Sequence, residues 1–412
     1  MKLSSFLAII LSIFFFQSNN NAQGEAAVPF LLLSPSPSLS AMGATGTALP
    51  IDDPFAFLWN PAQLGYNSIH NNLSFIFYPS PVDWIPVFNT DIKLSALAFN
   101  LGYNFKDIIG FPLSFGFAYS NPELNFGEFL RWGEGFPEPI GSFGAKDYYN
   151  AYSFGLGMDY YVQLSIGYTI KNVKSILSNE WSAETNVSDF GILLNVPVIK
   201  LIDENLLLPI DEGLKGKPTF DFSLGYTKSN IGDEIYYIDP AQADPLPRVD
   251  RTGYGLSAGF DLISKNLSLN MFTISFTSEA EDILVNRDTT GNWEYQSTWS
   301  DLNFWKNVIM IEGNEKIVSR TGTKLEFAES FAYYFGHFSG RGYYVRETNG
   351  FEIRAKGIFK LWALWANDPI TDFLSDHFDV IYYNTNYFAN HEFETKMTGL
   401  ALYVHNLNEF FE

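Results

Sequence analysis

The sequence predicts an all-β membrane protein: a transmembrane antiparallel β-barrel of about fourteen strands, with an N-terminal plug segment in or under its lumen. Three observations predict it. Aromatic residues make up 17% of the 412-residue chain and charged residues only 17%, against about 25% charged in ordinary soluble domains. Beyond the N-terminus, no run reaches the roughly 18–20 apolar residues that a membrane helix needs. From Asn71 onward, apolar side chains alternate with Gly, Ser, Ala and Thr at a period of two, which suits a sheet with lipid on one face and a packed lumen on the other.

Taken in order, residues 1–22 read as a secretory signal. Lys2 supplies the positive charge and Phe6–Phe16 the apolar stretch, which is too short to span as a helix. Residues 23–70 form the plug, centred on Ser36–Leu64, where Gly, Pro and small residues oppose regular structure. Residues 71–412 form the barrel. The cleanest strand is Phe111–Tyr119. There Phe111, Leu113, Phe115, Phe117 and Tyr119 face lipid, while Pro112, Ser114, Gly116 and Ala118 face the lumen. On this reading Phe115→Arg impairs assembly and Gly116→Ser is mild. The same alternation returns at 152–158 and 162–171, and again at 190–196, 220–226 and 254–262.

The strands are expected at 72–79, 91–105, 111–121, 149–160, 161–173, 187–197, 218–230, 252–262, 266–278, 324–336, 341–348, 350–362, 377–388 and 395–406. Short turns at 106–110, 159–162, 263–266 and 337–340 then share one end of the barrel. Long loops at 122–148, 174–186, 231–251 and 279–323 share the other. Two connections, 198–217 and 363–376, are long on the short-turn side, and the second has room for a helix in Asp368–Ser375.

Several functions are excluded or disfavoured. A net charge of −21 opposes nucleic-acid binding. The absence of cysteine removes disulfides and thiol chemistry. Gly255-Leu256-Ser257-Ala258-Gly259 matches the hydrolase pattern G-x-S-x-G but falls on a strand with no helix after it. His70, His337, His377, His391 and His405 show no ligand spacing. No enzyme activity, metal or cofactor is expected.

Strand parity turns Lys171, Glu352, Arg354 and Lys356 inward. The three cations form either a basic lumen patch able to meet a carboxylate, or an internal ion-pair lattice with Asp159, Asp221 and Glu352. In the long loops Trp132, Phe136, Trp293, Trp299 and Trp305 are binding candidates, because interface cores favour exposed aromatics. Anchoring in lipid headgroups is the other use of such residues.

Met42-Gly43, Gly46, Asp52-Asp53 and Trp59-Asn60-Pro61-Ala62 resemble the N-terminal signature of the FadL-like outer-membrane barrels. Val28-Pro29-Phe30-Leu31-Leu32-Leu33-Ser34-Pro35, Ser229-Asn230-Ile231-Gly232 and Asp244-Pro245-Leu246-Pro247-Arg248 sharpen the resemblance to the PorV/PorQ branch. The resemblance covers about residues 28–105 and 218–262. It departs at the chain end, where Phe410 and Phe411 are followed by Glu412. It implies a place in the bacterial outer membrane, among its lipids, and a role in type IX protein secretion. In that role the barrel binds exported cargo proteins through their C-terminal signal domain and passes them to a surface sortase complex. The other reading is a FadL-like channel that takes up hydrophobic small molecules such as fatty acids through the lumen. A fixed plug and a movable one fit the residues equally.

Overall fold

The computed structural model describes residues 26–70, 72–88, 91–133, 137–264, 267–287, 293–296, 300–366 and 369–410. The signal-peptide reading lies outside them. Fourteen antiparallel strands close on themselves. They are β1 (Leu73–Phe77), β2 (Leu97–Asn104), β3 (Leu113–Ser120), β4 (Pro139–Asp159), β5 (Gln163–Ile176), β6 (Ser182–Pro197) and β7 (Leu214–Gly232). The second half of the wall is β8 (Val249–Ser264), β9 (Leu267–Ile283), β10 (Ile317–Phe327), β11 (Phe331–Gly340), β12 (Tyr343–Arg354), β13 (Phe378–Tyr387) and β14 (Thr395–Val404). Each pairs with its neighbours in sequence, and β1 closes on β14 with Leu73 opposite Val404 and Phe77 opposite Leu400. The near end of the barrel is where β1 starts and β14 stops; the far end is opposite.

The alternation does what a barrel in lipid requires. Phe115, Phe154, Ile166, Tyr168 and Tyr333 are exposed on the outer wall, while Ser114, Ser153, Ser165 and Thr169 are buried inside. A continuous outer belt of large apolar side chains is costly against water and favourable against acyl chains.

The strand count matches expectation, but three strands are placed differently. Expected strand 324–336 runs across a turn, because β10 ends at Phe327 and β11 starts at Phe331. Expected strands 341–348 and 350–362 merge over much of their length into a single strand, β12, whose residues up to Arg354 pair with β11 or β13. The expected turn at 337–340 belongs to β11, and the chain reverses at Arg341-Gly342, at the far end. Turn chemistry explains the error. Ala328 and Glu329 turn tightly with positive φ although neither is Gly or Asn, so the sequence carries no turn signal there. Several far-end strands also continue beyond their expected limits, with β4 reaching 21 residues.

The two long near-end connections each hold local structure. One contains α3 (Val198–Ile202) and a short strand, Leu208–Asp211, that folds back on β7. The other contains α4 (Ala355–Ala366) and α5 (Pro369–His377). Within the barrel lie α1 (Pro37–Ala41) and α2 (Ala62–Asn67).

The first three strands share one irregularity. β1 breaks at Tyr78–Pro81 before resuming as Val82–Asp83, β2 is broken at Ala96 from Lys93–Ser95, and β3 at Asn121-Pro122 from Glu123–Trp132. Proline has no N–H for the ladder. The pairing of β14 with β1 accordingly stops at Leu400.

Candidate functional site

The lumen is filled by the chain's own N-terminal segment, which descends from the far end to the near end. At the far end the Ala27 N–H donates to the Pro245 carbonyl at 2.9 Å. There the two later segments that carry the resemblance meet. Asn230, held at φ 58°, donates through Nδ2 to the Pro247 carbonyl at 2.9 Å, and Arg248 donates to the Gly232 carbonyl at 3.2 Å.

Below this, Ser36 caps α1, its Oγ accepting from the Leu39 N–H at 3.0 Å. Ser36 also donates to the Asp53 carboxylate at 2.7 Å, as does Ser38, and the Phe55 N–H donates to its other oxygen at 2.8 Å. Asp53 thus ties the start of the plug to its middle. Met42 is wholly buried. At Gly43 (φ 74°) a Cβ would lie 2.7 Å from the Thr321 carbonyl oxygen, so only glycine fits. Asn60 donates to the Thr47 carbonyl at 2.6 Å and accepts from the Ala62 N–H at 3.0 Å. Gln63, not singled out from the sequence, donates to the Gly46 and Leu49 carbonyls at 2.9 and 2.7 Å. Backbone groups of the segment that its short helices and turns leave unpaired are thus satisfied by side chains, as buried polar groups require.

The barrel wall is shaped to this plug. Gly102, Gly116, Gly155, Gly167 and Gly191 are direct cross-strand neighbours on five adjacent strands. They form a bare track on which α2 and the residues before it lie. A Cβ at Gly167 would be 2.2 Å from the Pro61 carbonyl carbon. One at Gly116 would be 2.3 Å from Ser68 Oγ and 2.7 Å from Leu64 Cγ. The expectation that Gly116→Ser is mild is thus corrected: a lumen-facing side chain at this position strikes the plug.

The opposite wall holds the plug by charge. One carboxylate oxygen of Glu279 accepts from the backbone N–H groups of Gly46, Thr47 and Ala48 at 2.8, 2.6 and 3.3 Å. The Trp59 indole lies 3.8 Å beneath the Arg251 guanidinium. Arg251 and Arg320 both pair with Glu281, at 2.7 and 3.1 Å, and Arg320 donates to the Gly43 carbonyl at 3.1 Å. Sequence reading misses Glu279, Glu281, Arg251 and Arg320. Their signal is present as charges at lumen parity along β8, β9 and β10.

The predicted lumen cations do not form one patch. Lys171 lies toward the far end, paired with Asp189 at 2.6 Å and bonded to Asn230 at 3.1 Å. Arg354 lies at the near end, where it pairs with Asp379 at 2.8 Å and with Asp52 at 3.1 Å. Glu352 joins this near-end cluster through Lys324 at 3.5 Å and Tyr334. Lys356 is not on a strand at all: β12 ends at Arg354, and Lys356 sits in the first turn of α4. The lattice is built with Asp52, Glu326 and Asp379 rather than with Asp159 and Asp221.

Beneath the plug a cavity of about 420 Å³ opens at the near end. Its lining includes Asp52, Tyr66, His70, Lys324, Glu326, Arg354, Lys356 and His405. Burial, reinforced by Lys356, lowers the His405 pKa to about 4. Among the described residues no group of three potential metal ligands gathers. Ser257 of the G-x-S-x-G match shares a hydrogen bond with Ser275 at 2.9 Å on the lumen face.

On the other side of the lumen the contents are apolar. Val28, Phe30, Leu31, Phe55, Phe57 and Leu58 of the N-terminal segment form one buried cluster with Tyr78, Val82, Trp84, Leu94, Ala96 and Leu124 of the wall. Tyr78, Val82, Leu94, Ala96 and Leu124 place part of this cluster at the breaks in β1, β2 and β3, and the cluster continues onto Tyr149 and Val173 of β4 and β5 and onto Tyr383 and Tyr403 of β13 and β14.

Of the loop candidates, Trp132 is 59% and Trp305 65% exposed, whereas Trp293 packs beside Val249 and Ile283. Phe136 and Trp299 lie outside the described residues.

No family model and no curated protein matches this sequence. Among solved structures, the toluene transporter TodX of Pseudomonas putida is 8% identical with a TM-score of 0.36, the match covering 90% of this chain and 96% of that one. A FadL homologue of Pseudomonas aeruginosa is 7% identical with a TM-score of 0.34, covering 90% of this chain and 98% of that one. The CymD monoaromatic hydrocarbon channel is 9% identical with a TM-score of 0.33, covering 90% and 96%. These are likenesses of architecture alone.

Proposed function

We propose that this protein is an outer-membrane channel for hydrophobic small molecules. Residues 1–22 serve as its export signal, residues 23–70 as the plug and residues 71–412 as the barrel. The observation that carries the reading is the buried apolar column from Val28 to Leu58, set beside the interrupted wall of β1–β3. A barrel that served only as a rigid scaffold has no need of a buried apolar lane within its lumen next to a charged clamp. In this structure the lane is closed by the plug's own side chains, so passage requires Phe30, Leu31 and their neighbours to move. The near-end cavity, lined by charged and polar groups, is then where a released molecule meets the periplasm.

The test is equilibrium binding of radiolabelled oleate and toluene to the purified barrel in detergent. Saturable binding of at least one is expected, and Ala96→Trp, which fills the lane from the wall, should abolish it. Failure of both probes to saturate would overturn the reading.

A second reading, the PorV-like role in type IX secretion, is favoured by a separate observation. The hairpin Glu123–Trp132 with 139–148 projects at the far end and exposes Phe129, Leu130, Trp132 and Ile140. Such a surface suits a protein partner. Photocrosslinking from position 132 in cells should recover exported proteins that share a C-terminal domain; recovery of lipid alone would remove this reading.

A further inference from the structure

The two helices of the last near-end connection are built inside out. α4 begins where β12 stops, and its first turn is pinned to the turn between β10 and β11. The Gly357 N–H donates to the Glu329 carbonyl at 3.0 Å, and a Cβ at Gly357 would lie 2.0 Å from the Ala328 carbonyl oxygen. One turn later Lys360 Nζ reaches the Glu329 carboxylate at 2.8 Å and the Ser268 carbonyl at 2.7 Å. The face bearing Gly357 and Lys360 is therefore turned to the base of the barrel. Ile358 and Trp362 point away from it and are exposed by 50% and 56%, while Leu361, flanking Gly357 one turn on, is still 40% exposed.

The next helix repeats the arrangement. In α5, Thr371 and Ser375 are buried, while Ile370 and Phe373 are 67% and 46% exposed. A helix packed on a globular protein in water puts its apolar stripe toward the core. Among the described side chains of both helices, the buried positions are glycine or polar and the exposed ones are mostly large and apolar, with Asp376 near the end of α5 the exception, against the cost of hydrating them.

The apolar faces continue a surface already described. Ile353, the last outward-facing residue of β12, is 46% exposed on the lipid belt, and Phe327 on the neighbouring strand end is 44% exposed. Only four residues of chain separate Ile353 from Ile358. Helices that lie in the membrane interface show this pattern, with the apolar face sunk about 5–10 Å into the headgroup and acyl boundary. Trp362 suits that depth, since indole rings favour the interface.

We propose that α4 and α5 form an interfacial anchor whose partner is phospholipid of the leaflet at the near end of the barrel. The anchor is held by apolar burial rather than by charge, because Lys360 is engaged with Glu329 and points toward the barrel. It fixes the depth and tilt of the barrel beside the charged near-end cavity, and it does so whatever the barrel carries.

The chain contains no cysteine, so single reporters are clean. Ile358→Cys, Leu361→Cys, the belt control Ile353→Cys and the water control Glu204→Cys each receive a polarity-sensitive fluorophore. Each full-length protein goes into phosphatidylethanolamine vesicles, with and without phosphatidylglycerol, after a heat-modifiability check that the barrel has folded. At 358 and 361, a nitroxide lipid labelled near the headgroup should cause a loss of emission matching that at 353. Aqueous iodide should quench only 204. Equal quenching with and without phosphatidylglycerol is expected. Iodide access at 358 and 361 without nitroxide quenching, while 353 responds, would overturn the proposal and leave these faces to a soluble partner or a second copy. Dependence on phosphatidylglycerol would overturn the apolar origin of the contact.

Discussion

Glu279 offers the sharpest test of how the plug is held. Its single oxygen Oε1 gathers three backbone N–H groups of residues 46–48, and its other oxygen approaches the Trp59 indole at 3.5 Å. A hydrogen bond to a charged group is worth about 1.5–3 kcal/mol, and leaving a buried donor unsatisfied costs about 1–3 kcal/mol more. The three bonds share one acceptor and do not add fully. Breaking such a buried charged contact by Glu279→Ala should cost roughly 3–5 kcal/mol. At about 1.4 kcal/mol per factor of ten, that is roughly two to three and a half orders of magnitude in the ratio of docked to undocked plug. Glu279→Gln keeps an acceptor oxygen and loses the charge, for roughly 1–2 kcal/mol. The assay is conductance in planar bilayers, paired with protease sensitivity of the N-terminal segment. The expected order of leak is Ala above Gln above wild type, with barrel heat-modifiability unchanged. An Ala variant with a folded barrel, wild-type conductance and a protected plug would refute the reasoning.

Other outcomes follow from the same geometry. Phe115→Arg places a charge on the lipid belt, at about 2–4 kcal/mol near mid-membrane, and should lower the yield of folded barrel on heat-modifiability gels. Gly167→Leu strikes the plug at Pro61; overpacking of about 1–3 kcal/mol or more should raise solute flux in liposome swelling without preventing assembly. Arg354→Gln leaves Asp379 and Asp52 without their cation, and urea titration in detergent should show a loss of roughly 3–5 kcal/mol. His405 has its folded pKa lowered to about 4 from 6.5, so the unfolded chain binds the extra proton between those values. Its contribution is complete above pH 6.5 and is lost as pH falls through about 4; the pH slope of the urea midpoint in that window should flatten in His405→Phe.

Much of the wall is legible because its pattern is imposed locally. Lipid outside and packed plug inside force the period of two seen at Phe111–Tyr119, whatever the neighbouring strands do. The helix expected within Asp368–Ser375 appears as Pro369–His377 for a similarly local reason, a proline at its first position. Reading fails where the decisive term is not local. The turn at Ala328-Glu329 has no Gly, Asn or Pro to mark it, so alternation alone runs β10 and β11 together. Lys356 keeps strand parity with Arg354, but β12 ends two residues before it, where the chain folds under the barrel.

The plug shows the same division. Its irregular composition and its Gly, Pro and Asn positions can be read directly, because each constrains its own backbone. The track from Gly102 to Gly191 cannot, since it exists only when strand register brings five glycines from distant parts of the chain side by side. Nor can the clamp: Glu279 lies 233 residues from the Gly46 N–H that it accepts.

By itself, then, the sequence determined a membrane barrel of alternating strands after a Gly- and Pro-rich N-terminal segment, because alternation and backbone freedom are properties of neighbouring residues. The short helices Pro37–Ala41 and Ala62–Asn67 inside that segment go unread. Only the tertiary structure decided that one lumen wall is bare and the other charged, that the apolar side chains of the N-terminal segment are buried against the broken strands, and that α4 and α5 turn apolar side chains outward. These follow from closure of the sheet, which sets register and therefore decides which side chains, hundreds of residues apart, must share one space.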